Sequence, residues 1–189
     1  MNRLSDWIYQ QTTAGIALIS LVVFILFTAL VLPAQNKQVE TYSGGLGSPD
    51  TSFYYSAEHL YQFAEQYGPE GRSAYIRARL IFDAIFPLVY GVFLTTVLTR
   101  TLQVWAPKYS PLRRLNLLPL LGVLLDYLEN ASAAIVMARY PSRTDLFAHL
   151  AGFFTASKWV FIIASFVLLI VGIGKSRWSL SRRQEPPQT

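Results

Sequence analysis

No cysteine occurs in the 189-residue chain, which excludes disulfides, thiolate metal sites, iron–sulfur clusters and cysteine nucleophiles. Histidine is nearly as scarce. His59 and His149 are the only two, and neither belongs to a paired motif that would supply a bis-His haem. No residue spacing suggests a metal site, no Ser/His/Asp arrangement suggests hydrolysis, and no cofactor is expected. Charge is sparse too, at 14% of residues against the roughly 25% usual in soluble domains. With 52% hydrophobic residues and a mean hydropathy of +0.33, the composition belongs in a membrane. The formal charge of +5 does not mark a nucleic-acid partner, because no aromatic-interleaved basic patch or nucleic-acid motif accompanies it.

What the chain has in abundance is long apolar runs. Four of them, at about 14–32, 80–98, 115–138 and 147–174, exceed the roughly 18 residues needed to cross hydrocarbon. The first is longer than the roughly 7–15 residues of a secretory h-region and lacks a small-x-small cleavage site, so it reads as an uncleaved anchor ending before Pro33. The expected fold class is all-α, a polytopic four-transmembrane-helix bundle forming one domain over 14–174. The termini, 1–13 and a basic tail over 175–189, flank it.

The loops differ in charge. Arg3, Arg100, Lys108, Arg113, Arg114, Lys175, Arg177, Arg182 and Arg183 flank one side, opposed only by Asp6 and Glu185. On the other side, in the loop over 34–79 and the turn near 139–145, acids and bases balance. The positive-inside rule then places both termini in the cytoplasm, in an inner or plasma membrane, as an even number of spans requires. In the outer loop, residues 41–51 read as irregular chain. From Ser56 the pattern is helical, with Leu60, Phe63, Ala64 and Tyr67 on one stripe and Gly68-Pro69 as the stop. A short amphipathic helix there would cap the bundle.

Inside the apolar runs sit charges that cost at least a few kcal/mol each unless they meet a partner or water. Asp126, Glu129 and Asn130 follow i, i+3, i+4 spacing and share one face of the third span. Asp83, Pro87 and Tyr90 do the same on the second, and Thr155 and Lys158 on the fourth. Their depths along antiparallel spans predict a single cluster in the outer half of the bundle. Arg79 is the nearest additional cation, and Arg72 is close enough to the mouth to reach an anionic headgroup. The candidate ligand- or ion-binding residues are therefore Asp83, Asp126, Glu129, Asn130 and Lys158, with Tyr90, Thr155, Arg79 and Arg72 behind them. Adjacent carboxylates in low dielectric cannot all stay ionised, so the site has to hold a proton, bind a cation or admit water. The alternative is architectural: Lys158 pairs with an acid and fixes the register of three helices.

Taken together, Gly68-x-x-Gly71-Arg72-x-x-Tyr75, Asp83-x-x-x-Pro87, Asp126-Tyr127-Leu128-Glu129-Asn130, Tyr140-Pro141 and Thr155-x-x-Lys158-Trp159 resemble a family of small four-span bacterial membrane proteins over about 53–170. The resemblance implies the architecture and these positions, and it brings no activity with it. In layout alone the chain is also similar to the EXPERA group, four-span proteins with buried acids that bind or isomerise sterols.

Three functions fit these residues. One is binding or transport of a small amphipathic or lipid-like molecule, a proton or a cation, in a homo-oligomer if transport is involved. A second is a lipid-modifying enzyme of the isomerase or proton-transfer type, with Asp126 or Glu129 as acid/base and Lys158 tuning it. The third is a structural or assembly subunit of a larger membrane complex. Membrane lipids are partners under all three.

Overall fold

The computed structural model describes residues 3–184, with side chains through 175; Arg177, Arg182 and Arg183 of the expected basic tail lie outside the described side chains. The described chain is all-α. The helices are α1 (Arg3–Gln11), α2 (Ala14–Ser43), α3 (Ala57–Gln66), α4 (Gly68–Trp105), α5 (Leu118–Arg139) and α6 (Asp145–Gln184). Among the described residues, α2, α4, α5 with the 3-10 turn before it, and α6 are long and apolar enough to cross a membrane. This is a multi-pass membrane protein.

α4, α5 and α6 pack on one another, and α2 lies outside them against α4. Aromatic stacking joins that pair, with the Phe24 and Phe93 rings 4.4 Å apart, as does a 2.7 Å hydrogen bond between the Ser20 and Thr96 hydroxyls. The rest of α2 presents residues such as Leu18, Ile19 and Val22 outward. In a bilayer these meet acyl chains, so apolar exposure carries no penalty there.

Two helices run past their sequence-based limits. α2 does not stop before Pro33 but continues to Ser43. A proline lacks an N–H and clashes with the carbonyl four residues back in a regular α-helix. Here the preceding turn, Phe27–Val31, is a π-helix in which the Leu32 amide donates to the Phe27 carbonyl, and the widened turn accommodates the ring. The second span likewise begins at Gly68 instead of near residue 80, so Arg72, Arg77 and Arg79 stand on helix and not in a loop. Gly68 has φ +63, a value that glycine adopts freely, and it turns the chain sharply from α3 into α4.

The expected amphipathic helix is present as α3. The Ser56 hydroxyl caps it by accepting from the His59 amide at 3.2 Å, and Leu60, Phe63 and Ala64 are buried. With Tyr55, Tyr67 and Tyr75 they pack on Ala133, Val136, Met137, Ala148 and Ala151. α3 therefore caps one end of the bundle, beside a strap of residues 44–55 that connects α2 to it. The strap lies close because residue 152 is glycine: a Cβ there would overlap the Tyr55 carbonyl. At the opposite end α1, absent from the sequence reading, docks through polar contacts. Ser5 Oγ donates to Asn116 Oδ1 at 2.8 Å, and the Tyr9 hydroxyl donates to the Arg113 carbonyl at 3.0 Å.

The Gly152 contact is testable by thermal unfolding in detergent. Gly152→Ala is expected to cost about 1–3 kcal/mol, as overpacking does. Gly174→Ala, where a Cβ meets open space, serves as the neutral control. Equal melting of the two variants would contradict the close approach.

Candidate functional site

The polar side chains converge beneath the cap, where helical spacing on three spans meets the strap. On α5, Asp126, Glu129 and Asn130 turn to the same interior face and are all buried. α6 delivers Lys158, 5% exposed, whose Nζ lies 2.5 Å from Glu129 Oε2 and 3.3 Å from Asp126 Oδ1. From α4 the Tyr90 hydroxyl donates to Asp126 Oδ2 at 2.9 Å. The Tyr55 hydroxyl, at the end of the strap, donates to Glu129 Oε1 at 3.3 Å. Burial, followed by the Glu129 charge, pushes the Tyr55 phenol well above its ordinary pKa, so it remains a donor.

A second cation organises the part nearest the cap. Arg79 is 7% exposed, and its guanidinium stacks over the Tyr75 ring at 4.3 Å. Its Nη1 donates to Asp83 Oδ2 at 2.8 Å and to Asn130 Oδ1 at 3.2 Å. The strap closes over it: Nη1 and Nη2 donate to the two oxygens of Asp50 at 2.7 and 2.9 Å, and Nη2 also donates to Ser48 Oγ at 2.6 Å. Bidentate pairing of this kind is the strong form of an ion pair. Burial opposes ionisation of Asp50, but the charge and hydrogen bonds of Arg79 outweigh it and hold the carboxyl below its ordinary pKa. Asn130 joins the two halves, since its Nδ2 donates to Asp126 Oδ1 at 3.2 Å while its oxygen accepts from Arg79.

The structure thus brings together Asp83, Asp126, Glu129, Asn130, Lys158, Tyr90 and Arg79. Thr155 lies buried one turn from Lys158, with its hydroxyl donating to the Ala151 carbonyl at 2.9 Å. Arg72 stands apart. Its Nη1 donates to the Ala64 carbonyl at 2.7 Å, and its guanidinium covers the Tyr140 ring at 4.7 Å. Sequence reasoning missed Asp50, Ser48 and Tyr55, and it named Tyr75 only as a motif position and not as part of the site. For Tyr75 a signal existed, its i, i+4 spacing to Arg79. Asp50 and Ser48 carried only a Ser-Pro-Asp turn signature, and a loop has no periodicity to aim it.

Two features set the chemistry. The network contains four carboxylates, of Asp50, Asp83, Asp126 and Glu129, against the cations of Arg79 and Lys158. On the side away from the cap, Phe93, Leu94 and Val123 pack with the Tyr90 ring into an apolar floor, joined by Phe24 and Ile162. An apolar groove of about 350 Å³ between α2 and α4, lined by residues such as Ile19, Val23 and Val92, is separate from this network. No family model, curated protein or solved structure matches the chain.

Removing Lys158 is expected to be costly, because two buried acids then lose their counter-ion. Lys158→Met should lower unfolding stability by about 3–5 kcal/mol, and adding Glu129→Gln should recover part of that loss. Strict additivity in a double-mutant cycle in detergent would contradict the coupling.

Proposed function

We propose that this is a binding protein of the inner or plasma membrane, its capped end facing outward and both termini in the cytoplasm. Its buried site takes a small amphipathic, lipid-like molecule, and exchangeable protons balance the charge. One observation carries this reading: a single buried network holds more carboxylates than cations, under a loop at one end of the bundle. Such a surplus is stable in low dielectric only with a proton, a cation or water to offset it. The apolar floor below the network favours exchange with the capped side over passage through the bundle. The basic 3-10 turn with Arg113 and Arg114 lies at the end away from the cap, which supports the orientation.

An architectural role is the second reading. It is favoured by the way the network ties α4, α5, α6 and the strap together through ion pairs and hydrogen bonds made within the chain.

Native mass spectrometry of protein extracted with its own lipid separates the two. A binding role is expected to show an amphiphile retained by wild type and lost from Glu129→Gln, with the variant still folded. Empty chains in wild type and variant alike would contradict binding. Loss of abundance in Asp126→Asn and Lys158→Met together would mark the network as architecture.

A further inference from the structure

The Arg79 guanidinium is answered by a carboxylate that comes from outside the membrane-spanning helices. Asp50 reaches it from the strap with both oxygens, in the geometry by which arginine recognises a carboxylate or phosphate ligand. Asp50 is also the most exposed charged member of the network, its side chain 23% accessible. The strap begins on three glycines. Gly44, Gly45 and Gly47 all have positive φ, and a Cβ at any of them would meet open space.

Two buried polar atoms beside Asp50 are left unused. Arg79 Nε has no hydrogen-bond partner, nor does the Tyr42 hydroxyl, which lies close enough to Arg79 and Asp50 to interact with their charges. Buried polar atoms are almost always satisfied, so these are two hydrogen-bonding groups that Asp50 leaves unused and that an acceptor with more oxygens could meet. Phe53 and Tyr54, which follow Asp50 in the strap, and Leu80 and Ile81, which follow Arg79 on α4, are exposed apolar side chains of the kind an alkyl tail can cover.

We propose that the strap is a displaceable plug, and that Asp50 holds the place of the anionic head, carboxylate or phosphate, of an amphipathic ligand that pairs with Arg79. The inference rests on the binding role above and names its ligand class. Exchange of one anion for another leaves the charge of the site unchanged or nearly so. Arg79 holds Asp50 below the ordinary carboxylate range, so the plug is expected to be released by a competing anion and not by mild acid.

The strap carries its own reporter. Trp159 Nε1 donates to the Ser52 carbonyl at 3.2 Å, and the Phe53 ring stacks on the Trp159 indole at 5.9 Å. Titration of the full-length protein in lipid nanodiscs with dodecanoate, dodecyl phosphate or dodecyltrimethylammonium should therefore be visible in tryptophan emission. Trp159→Phe is the control that removes the signal. The expected result is saturable binding of one or both anionic probes, and comparing the two shows which headgroup the site takes. Asp50→Ala should bind about tenfold tighter or more, as removal of an internal competitor that fills the site at least nine-tenths of the time requires. Arg79→Gln should lose binding.

Hydrogen–deuterium exchange on wild type needs no variant to fold. The anionic probe should speed exchange in residues 44–52 and leave α5 unchanged. Equal binding of the cationic probe, unchanged strap exchange on anion binding, or unchanged affinity in folded Asp50→Ala would overturn the plug while leaving the binding role standing. If none of the three probes bound, both would fall.

Discussion

A guanidinium at membrane depth costs several kcal/mol unless its donors are met within the protein, and Arg79 meets that demand from three parts of the chain. Asp83 comes from its own helix, Asn130 from the neighbouring span, and Asp50 with Ser48 from the strap. The strap is therefore held by a buried charge. Remove that demand and residues 44–55 retain the Tyr67 bond to Gly47, the Trp159 bond to Ser52 and the Tyr55 bond to Glu129. Asn130 also passes the constraint to Asp126, and through Asp126 to Lys158 and Tyr90. A change at the mouth thus has a continuous polar route to the deepest charge.

The surplus of acid is the second consequence. A network built only for register would be expected to neutralise itself, since uncompensated buried charge is destabilising. This one keeps four acids around two bases and stands on an apolar floor of Phe93, Leu94 and Val123. The strap covers the network on the capped side, and packed apolar side chains close it on the other.

Much of this was legible in the sequence, and the parts that were not have physical causes. The four spans follow from hydrocarbon thickness and apolar run length, and the third-span triad follows from helical periodicity. Pro33 misled because a local rule about proline ignores a π turn just before it. The start of α4 was hidden because Arg72, Arg77 and Arg79 depress hydropathy over a stretch that is nonetheless helical. Arg79 looked secondary to Lys158, since its weight depends on Asp50, a loop residue whose direction no periodicity encodes. α1 was missed because nine residues are too few to stand out from a flanking segment.

The most direct test of the central claim is infrared spectroscopy of the protein in lipid bilayers at neutral pH, read at the carbonyl stretch of protonated carboxyl groups. With four carboxylates facing two buried cations, wild type is expected to show at least one protonated carboxyl. The band should shrink or shift in at least one of Asp83→Asn, Asp126→Asn and Glu129→Gln. A spectrum without that band, with all four groups ionised, would contradict the claim that the site holds exchangeable protons.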